Sequence, residues 1–474
     1  MSAQSANNAE SVTRGKQLTS YIAGARTREF PPEIIDAAKR ALVDFAGVAI
    51  GAADQPVVAA TRRVAESWAA AGKAQIFLGG TSTPAVAVLV NATMVHAMDY
   101  DDTHPGGCGH PSGPCWSTAL ALAGHHGYSE QAALAGFITG FEIMARLGGG
   151  GPPGVGRSLQ RRGLHPTSVF GRTGAAAAAC VMLGLGEQQV AHALGIAATT
   201  AGGLVGSFGT DSKPFHAGKA AMDGILAAQL AAEGFEAATH LYELRGGLLD
   251  AFIQDRAVEV PPLNFDAKWE LPGNGFKPFA CCRATQASTQ AARTLAARVA
   301  GKRVTRVHAK VHPNALVTAG KRNPRTPLEG KFSVPFCIAL GLRGYRAVAT
   351  DFVDATMRDA AVMDIVPVVE LEAIHGQAPH SAHLDVYLEG GEHLHADTDI
   401  VIGHPDNPMS WDDLYVKFEG LVEPVLGGDK AQALFECLQH FDRAGSLAEA
   451  LPLLGSKPRV RQPARGGSRA TATG

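Results

Sequence analysis

PPEIIDAAKRALVDFAGVAIGA, residues 31–52, opens with two prolines and then repeats apolar residues at helical spacing. Proline fits the first turn of a helix, where its missing N–H group is not needed. One stripe of the helix would be apolar, formed by Ile34, Ile35, Ala38, Leu42, Phe45 and Val48. The segment therefore predicts a long helix that buries this stripe, within a fold that is mainly α.

Six further segments before residue 250 continue the same periodicity: 84–99, 115–127, 130–150, 165–186, 187–203 and 213–235. All but the first end at or beside a glycine, as helix C-termini tend to do. Alanine and glycine dominate these segments, so the helices can approach one another closely. Because no strand-like alternation intervenes, we predict a large all-helical domain over residues 1–268.

The pattern changes after residue 268. RVTRVHAKVHP, residues 303–313, alternates like a strand, and SAHLDVYLEGGEHLHADT, residues 381–398, reads as a hairpin turning at Gly390 and Gly391. Helical periodicity then returns. We therefore predict a smaller α+β lid domain, residues 269–404, inserted before C-terminal helices that rejoin the first domain over residues 405–455. The Gly/Arg/Ser/Pro-rich residues 456–474 are predicted to be disordered.

Composition excludes several classes of protein. The 42 basic and 44 acidic residues nearly cancel, which argues against nucleic-acid binding. No apolar run is long enough to span a membrane, and the N-terminus does not resemble a signal peptide. The seven cysteines are irregularly spaced and include no CxxC pair, which favours free thiols and no structural zinc. We therefore predict a cytoplasmic protein that does not bind membranes.

MDYDDTHPGGCGHPSG, residues 98–113, concentrates residues that can carry chemistry at a predicted helix end. Three interpretations are open: a metal site, an acid/base site, or a polar turn whose aspartates cap helices. The candidates in and beside this segment are His96, Asp99, Asp101, Asp102, Thr103, His104 and His110. A metal-dependent hydrolase would use the cluster of His96, Asp99, Asp101 and Asp102.

Three other segments hold isolated candidates: 161–174, 209–224 and 273–286. His165 opens a helix of small residues, and Lys213 lies beside a predicted helix N-terminus, where backbone N–H groups attract anions. Lys277 and Arg283 flank a cysteine pair at the predicted domain junction, a common place for ligand clefts. Taken one at a time, each residue is equally well explained by a structural role.

Together these segments resemble the MmgE/PrpD family, also called the 2-methylcitrate dehydratase family. The matching segments follow one order: HAMDYDDTH (96–104), GHPSGP (109–114), LHPTSVFG (164–171), GTDSKPFHAGKAA (209–221), KPFACCRATQ (277–286), GKFSVPF (330–336) and IGHPDNPMSWDDLYVKF (402–418). The resemblance implies a helical domain with an α+β lid, a homodimer, and chemistry on small di- or tricarboxylates without a metal or other cofactor.

Transferred by resemblance, the catalytic residues are Asp99, His110, His165 and Lys213, and the substrate-binding residues are Thr103 and Lys277. Arg283, at the same predicted junction, is added to the substrate-binding residues. The leading prediction is a hydro-lyase of the 2-methylcitrate dehydratase type, which removes a proton next to a carboxylate and releases water. The alternatives are a cis-aconitate-type decarboxylase and an iminodisuccinate-type epimerase. This chain departs from the family's pattern at Phe336, a tyrosine in the decarboxylases, and at Gln286, commonly a histidine.

Two finer predictions complete the sequence analysis. Asp99 is expected to pair with His110 and to raise its pKa, while Thr103 binds a substrate carboxylate and His104 is structural. The helical segments 115–127 and 187–203 are apolar on more than one face, so we expect a homodimer that buries them through the helical domain.

Overall fold

A computed structural model of the protein describes residues 13–459, apart from residues 152 and 256. The predicted disordered tail therefore lies outside the described residues from residue 460 onward. Residues 456–459 of that segment are described, and the backbone N–H of Arg459 donates to the carbonyl of Val425 at 2.8 Å.

The described residues are mainly helical. The helices are α1 Arg14–Ala23, α2 Pro32–Gly51, α3 Pro56–Ser67, α4 Pro84–His96, α5 Ser112–His126, α6 Glu130–Leu147, α7 Val155–Arg161, α8 Pro166–Leu183, α9 Glu187–Thr199, α10 Ser212–Ala232, α11 Leu248–Phe252, α12 Gln286–Val299, α13 Pro313–Ala319, α14 Pro327–Gly330, α15 Val334–Leu342, α16 Ala360–Met363, α17 Trp411–Leu426, α18 Gly428–Gln439 and α19 Ser446–Leu454. The strands are β1 Ala74–Gln75, β2 Thr81–Ser82, β3 Val304–Val311, β4 Val369–Ala373, β5 Ala382–Leu388 and β6 His393–Thr398.

Helix α8 lies at the centre of the helical part, with every residue from Pro166 to Met182 buried. Helices α6 and α10 pack against it. A Cβ atom added to Gly224 of α10 would lie 2.4 Å from Cβ of Ala175, so this contact requires glycine. The stripe predicted for α2 is buried except for Ile35, which is half-buried. Among the described residues no single helix could span a bilayer by length and composition; α2 and α3, bent by 89°, meet those criteria only as a pair.

A four-stranded sheet lies within the α+β segment, residues 269–404, in the strand order β4-β3-β5-β6. The predicted hairpin is confirmed as β5 and β6, which pair antiparallel and turn at Gly390 and Gly391, with φ angles of +95° and +91°. Strand β4 was not predicted, because five residues with mixed exposure give little periodic signal. It pairs parallel to β3.

The C-terminal helices contact the start of the chain. Lys417 Nζ of α17 donates to Asp44 Oδ1 of α2 at 2.6 Å, and both side chains are buried. A Cβ atom on Gly47 of α2 would lie 2.9 Å from the Phe418 ring, which shows how closely the two helices approach. This contact places Lys417 beside the loop that follows α4.

Candidate active site

The loop between α4 and α5 is held tightly by its neighbours. Thr103 and Gly275 exchange two backbone hydrogen bonds of 2.8 and 2.9 Å, which tie the loop to the start of the α+β segment. His104 has the structural role predicted for it, since its Nδ1 accepts from the N–H of Gly107 at 2.8 Å. Asp99 has a φ angle of +54°, a left-handed conformation uncommon outside glycine, so its surroundings must hold it there.

Two lysines converge on Asp99. Lys213 Nζ, from the first turn of α10, donates to Asp99 Oδ1. Lys277 Nζ donates to the Asp99 carbonyl at 2.8 Å and lies 3.3 Å from Oδ1. Although burial opposes charge on Asp99, the two ammonium groups hold its pKa well below the ordinary value. Burial likewise opposes charge on Lys277, but Asp99 and Asp101 raise its pKa overall. Asp99 and Lys277 are therefore both charged at neutral pH.

Two more buried lysines bind the backbone on either side of Asp99. Lys331 Nζ donates to the carbonyl of Met98 at 2.9 Å, and Lys417 Nζ donates to the carbonyl of Tyr100 at 2.9 Å. Lys417 also has the carboxylate of Asp44 as a partner, whereas Lys331 has no carboxylate partner among the described residues and donates to a neutral carbonyl. Burial lowers the pKa of Lys331 to about 8, so this ammonium can release its proton near neutral pH. Lys331 was not predicted from the sequence.

Four histidines form a row beside the lysines. The His96 ring centroid lies 4.5 Å from that of His110 and 5.8 Å from that of His165. His165 Nδ1 lies 3.1 Å from Nδ1 of His216, the fourth member. Burial lowers the pKa of every ring in the row, to about 3 for His110 and about 4 for His216. The row is therefore neutral at physiological pH.

Asp99 was predicted to act as a pair with His110, but no hydrogen bond joins the two side chains in the described structure. His110 Nδ1 lies 2.7 Å from the carbonyl of Asp102, and the nearest carboxylate oxygen, Oδ2 of Asp101, is 3.4 Å away. Since a carbonyl can only accept, Nδ1 carries the proton and Nε2 is the free acceptor. The predicted increase in the pKa of His110 is wrong, because burial outweighs the charge of Asp101.

The aspartates do not converge as a metal-dependent hydrolase would require. Asp101 Oδ2 accepts from Nδ1 of His96 at 2.8 Å. Oδ2 of Asp102 accepts from the hydroxyl of Ser112 at 2.7 Å and from the amide of Asn274 at 2.8 Å. The potential ligand atoms of His96, Asp99 and His110 do lie within 4.8 Å of one another. However, the two ammonium groups on Asp99 would repel a cation placed there.

The structure brings together five of the seven predicted site residues: Asp99, His110, His165, Lys213 and Lys277. Thr103 lies at the edge of this group, and its buried hydroxyl has no hydrogen-bond partner among the described residues. Arg283 lies beside Gly275, with Nη2 3.5 Å from where a Cβ of Gly275 would be. Besides Lys331, sequence analysis missed the part that His216 plays, although the quoted segment 209–221 contains it.

Both departures from the family's pattern have structural roles. The Gln286 amide donates to the carbonyls of Phe279 and Cys281 at 3.0 and 2.9 Å, and so fixes the turn after Lys277. Phe336 is fully buried, with its ring centroid 6.1 Å from that of Phe352. Neither residue supplies a proton, so acid chemistry must come from another group.

Acid should destabilise the protein through the histidine row. In the unfolded chain an imidazole titrates near 6.5, whereas the folded pKa of His110 is about 3. Between these values the unfolded state binds more protons, so the free energy of unfolding falls as pH decreases below about 6.5. We expect urea denaturation between pH 7.5 and 5 to show this fall, and His110→Gln to make it shallower. The exposed control His240→Gln should leave the slope unchanged; equal slopes in all three proteins would contradict the assignment.

Comparison with known families and proteins gives consistent results. Residues 16–261 match the MmgE/PrpD N-terminal domain, and residues 279–442 match the MmgE/PrpD C-terminal domain. The chain is 28% identical to a cis-aconitate decarboxylase of Homo sapiens over 377 residues, covering 76% of this chain and 77% of the relative. It is 22% identical to a cis-aconitate decarboxylase of Aspergillus terreus over 488 aligned positions, covering 96% and 98% of the two chains.

Proposed function

Because the chain belongs to the MmgE/PrpD family, we propose that it is a lyase that decarboxylates a small tricarboxylate of the cis-aconitate type. The names of the relatives support decarboxylation over the dehydration of 2-methylcitrate that the sequence analysis placed first. The structural observation that carries the proposal is the convergence of Lys213, Lys277 and Lys331 on residues 98 and 99, beside neutral histidines.

The charges of this centre suit a polycarboxylate. Lys213, Lys277 and Lys331 surround Asp99, whose carboxylate contacts two of them, so the lysines bring an excess of positive charge to this loop. The centre is buried, with only 1% of the Lys277 side chain and 7% of the Lys213 side chain exposed. Because attraction between charges is strong where water is excluded, this excess would bind and orient a substrate carboxylate.

Decarboxylation breaks the bond between a carboxylate carbon and its neighbouring carbon, and CO₂ leaves. The electron pair stays on the substrate as an allylic carbanion, whose charge spreads through the double bond onto another carboxylate. Lys213 and Lys277 would stabilise that charge. A proton must then reach carbon, and Lys331 is the donor we propose, because burial lowers its pKa to about 8, near neutrality. The product is an unsaturated dicarboxylate, and solvent restores the Lys331 proton.

We propose that residues 269–404 act as a lid. Lys277 and Lys331 belong to this segment, whereas Lys213, His110 and His165 belong to the helical part. Movement of the segment would therefore admit the substrate and then complete the centre around it. Closure would also exclude water, which would otherwise compete with the lysines for the substrate carboxylates.

One observation favours a second candidate function. The Nε2 atom of neutral His110 is an acceptor and could remove a proton next to a carboxylate, as dehydration or epimerisation requires. The same centre would stabilise the resulting charge through its lysines. Dehydration of 2-methylcitrate and epimerisation of iminodisuccinate therefore remain the alternatives.

Incubation of the purified protein with each candidate, followed by NMR, separates these functions. The panel is cis-aconitate, trans-aconitate, citrate, 2-methylcitrate and iminodisuccinate. We expect cis-aconitate to be consumed with release of CO₂. Loss of water from 2-methylcitrate without decarboxylation of cis-aconitate would favour the alternative, and failure on all five would reject the proposed substrate class.

We also propose that the protein is a cytoplasmic homodimer. Its seven free cysteines support the cytoplasmic location. The dimer was expected to bury apolar faces of α5 and α9, but these helices already bury their apolar residues inside the chain. A different apolar surface lies on α3 and α10, where exposed Val64, Trp68 and Phe215 line a groove of about 370 Å³.

Light scattering should give twice the chain mass of 49.2 kDa at micromolar concentration. Trp68→Glu would place a charge in the contact and shift the protein towards the monomer. Val416→Asp, at an equally exposed valine on α17, should leave the mass unchanged. A wild-type monomer under these conditions would contradict the dimer.

A further inference from the structure

We infer that Arg283 and Thr103 form a second carboxylate-binding subsite, which recognises a substrate carboxylate that does not react. The inference rests on the proposed function for the identity of the substrate, but not for the existence of the subsite. It predicts that the protein selects tricarboxylates over dicarboxylates of the same carbon skeleton.

Arg283 is a half-buried cation whose terminal nitrogens have no partner among the described residues. Its two terminal nitrogens, Nη1 and Nη2, are inaccessible to solvent and make no hydrogen bond with any described residue. Burial alone lowers the pKa of Arg283, to about 10, and no acidic group raises it again. A guanidinium group presents paired N–H donors that match a carboxylate, and shielding these donors from water without a hydrogen-bond acceptor is unfavourable. The Arg283 guanidinium is therefore suited to bind an anion.

Thr103 faces the same space. Thr103 and Gly275 are directly opposed in an antiparallel pair, so their Cβ positions lie on the same face of the two segments. The Cβ position of Gly275 is 3.5 Å from Nη2 of Arg283, which places the guanidinium on that face beside the Thr103 side chain. The Thr103 hydroxyl is also buried and unpartnered in the described structure. One carboxylate could accept from both groups.

Gly275 is closely packed beside the guanidinium. A side chain at this position would come within 2.8 Å of the carbonyl of Gly403 and 3.4 Å of the Pro405 ring, as well as meeting Arg283. The backbone N–H of Phe276 donates to the same Gly403 carbonyl at 2.9 Å, so the segment cannot shift away easily. Gly275 therefore allows the Thr103 segment to pack closely beside the guanidinium.

The histidines next to Arg283 do not supply a negative charge that could pair with it. The rings of His380 and His404 lie 4.2 Å apart, and burial with the nearby charges of His380 and Arg283 lowers the pKa of His404 to about 4. Asp406 is the nearby acidic residue, and its carboxylate lies 3.4 Å from Nδ1 of His404 rather than on Arg283. These neighbours therefore do not cancel the single positive charge of Arg283, which suits one carboxylate.

The two segments that carry the subsite also carry the reactive centre. Thr103 follows Asp99 by four residues, and Gly275 precedes Lys277 by two, so the Cα atoms of the latter pair are at most ~7 Å apart. A substrate with one carboxylate at the lysines could therefore place another at Arg283. A dicarboxylate that lacks this group would leave Arg283 unpaired.

Calorimetric titration with two unreactive probes tests the subsite on the full chain. Tricarballylate and glutarate share a five-carbon backbone and differ by the central carboxylate. We expect the wild type to bind tricarballylate at least about tenfold more tightly than glutarate. Arg283→Gln and Thr103→Val should each reduce this preference, with Arg283→Gln abolishing it and leaving glutarate affinity within about twofold. Arg298→Gln, at an exposed arginine of α12, should preserve the preference.

Circular dichroism shows whether the variants fold, and Arg283→Lys provides a second test that retains the charge but loses the paired donors. A folded Arg283→Gln protein that still prefers tricarballylate would overturn the subsite. Wild-type preference without any decarboxylation would reject the proposed reaction and retain the subsite. If the protein decarboxylates cis-aconitate but Arg283→Gln keeps the wild-type preference for tricarballylate, the proposed reaction is retained and the subsite is rejected.

Discussion

Asp99→Asn is expected to lower kcat by at least about 100-fold and the free energy of unfolding by about 3 kcal/mol. The amide has nearly the same shape as the carboxylate, so the loss comes from charge. Without Asp99, Lys213 and Lys277 are buried next to each other with no carboxylate in contact. Their mutual repulsion would both destabilise the fold and displace the groups that bind the substrate. Urea denaturation and steady-state kinetics measure the two effects.

Asp223→Asn is the matched control, because Asp223 also holds two cations but lies outside the lysine centre. It accepts from Nε of Arg172 at 2.8 Å and forms an ion pair with Lys219. We expect this variant to lose stability while keeping kcat within about twofold of the wild type. If Asp99→Asn retained full turnover, Asp99 would be only a structural counter-ion.

Lys331→Met is expected to lower kcat by about 100- to 10,000-fold, because it removes the proposed proton donor, and to raise KM, because it also removes one of the positive charges that bind the substrate. Lys331→Arg should be nearly as inactive, since arginine keeps the positive charge but does not release its proton near neutral pH. Lys321→Met, at a half-exposed lysine ten residues earlier, should have normal activity. Full activity of Lys331→Arg would show that only the charge matters.

The pH dependence follows from the same assignment. The protonated form of Lys331 is the active one, and its pKa is about 8. Wild-type kcat should therefore fall as pH rises through about 8, because the neutral amine has no proton to give. The residual activity of the Lys331 variants should lack this alkaline fall. A wild-type rate that stays constant to pH 9 would contradict Lys331 as the donor.

Much of the fold could be predicted from the sequence, because helices repeat apolar residues with a clear period. The stripe on α2 and the hairpin of β5 and β6 follow from local patterns. Strand β4 was missed because its residues are only partly buried and its pairing with β3 is long-range. The sequence analysis also predicted that α5 and α9 would be free to contact a partner subunit. The structure shows that other parts of the same chain cover their apolar residues.

The candidate site was predicted as a set of residues but not as a set of contacts. Asp99 and Lys213 are 114 residues apart, and local sequence does not show that a lysine, rather than His110, meets the carboxylate. The pKa of His110 was misjudged because the sequence shows a neighbouring aspartate but not the burial that outweighs it. Lys331 had no signal of its own, since its partner is the backbone carbonyl of Met98, which residue identity does not reveal.

Decarboxylation of cis-aconitate in D₂O, followed by NMR and CO₂ detection, tests the central claim most directly. The account predicts one CO₂ released for each tricarboxylate consumed, and an unsaturated dicarboxylate carrying one solvent-derived deuteron on carbon. The deuteron would reach carbon through the exchangeable ammonium of Lys331. Addition or loss of water without CO₂, or no reaction of cis-aconitate at all, would contradict the account.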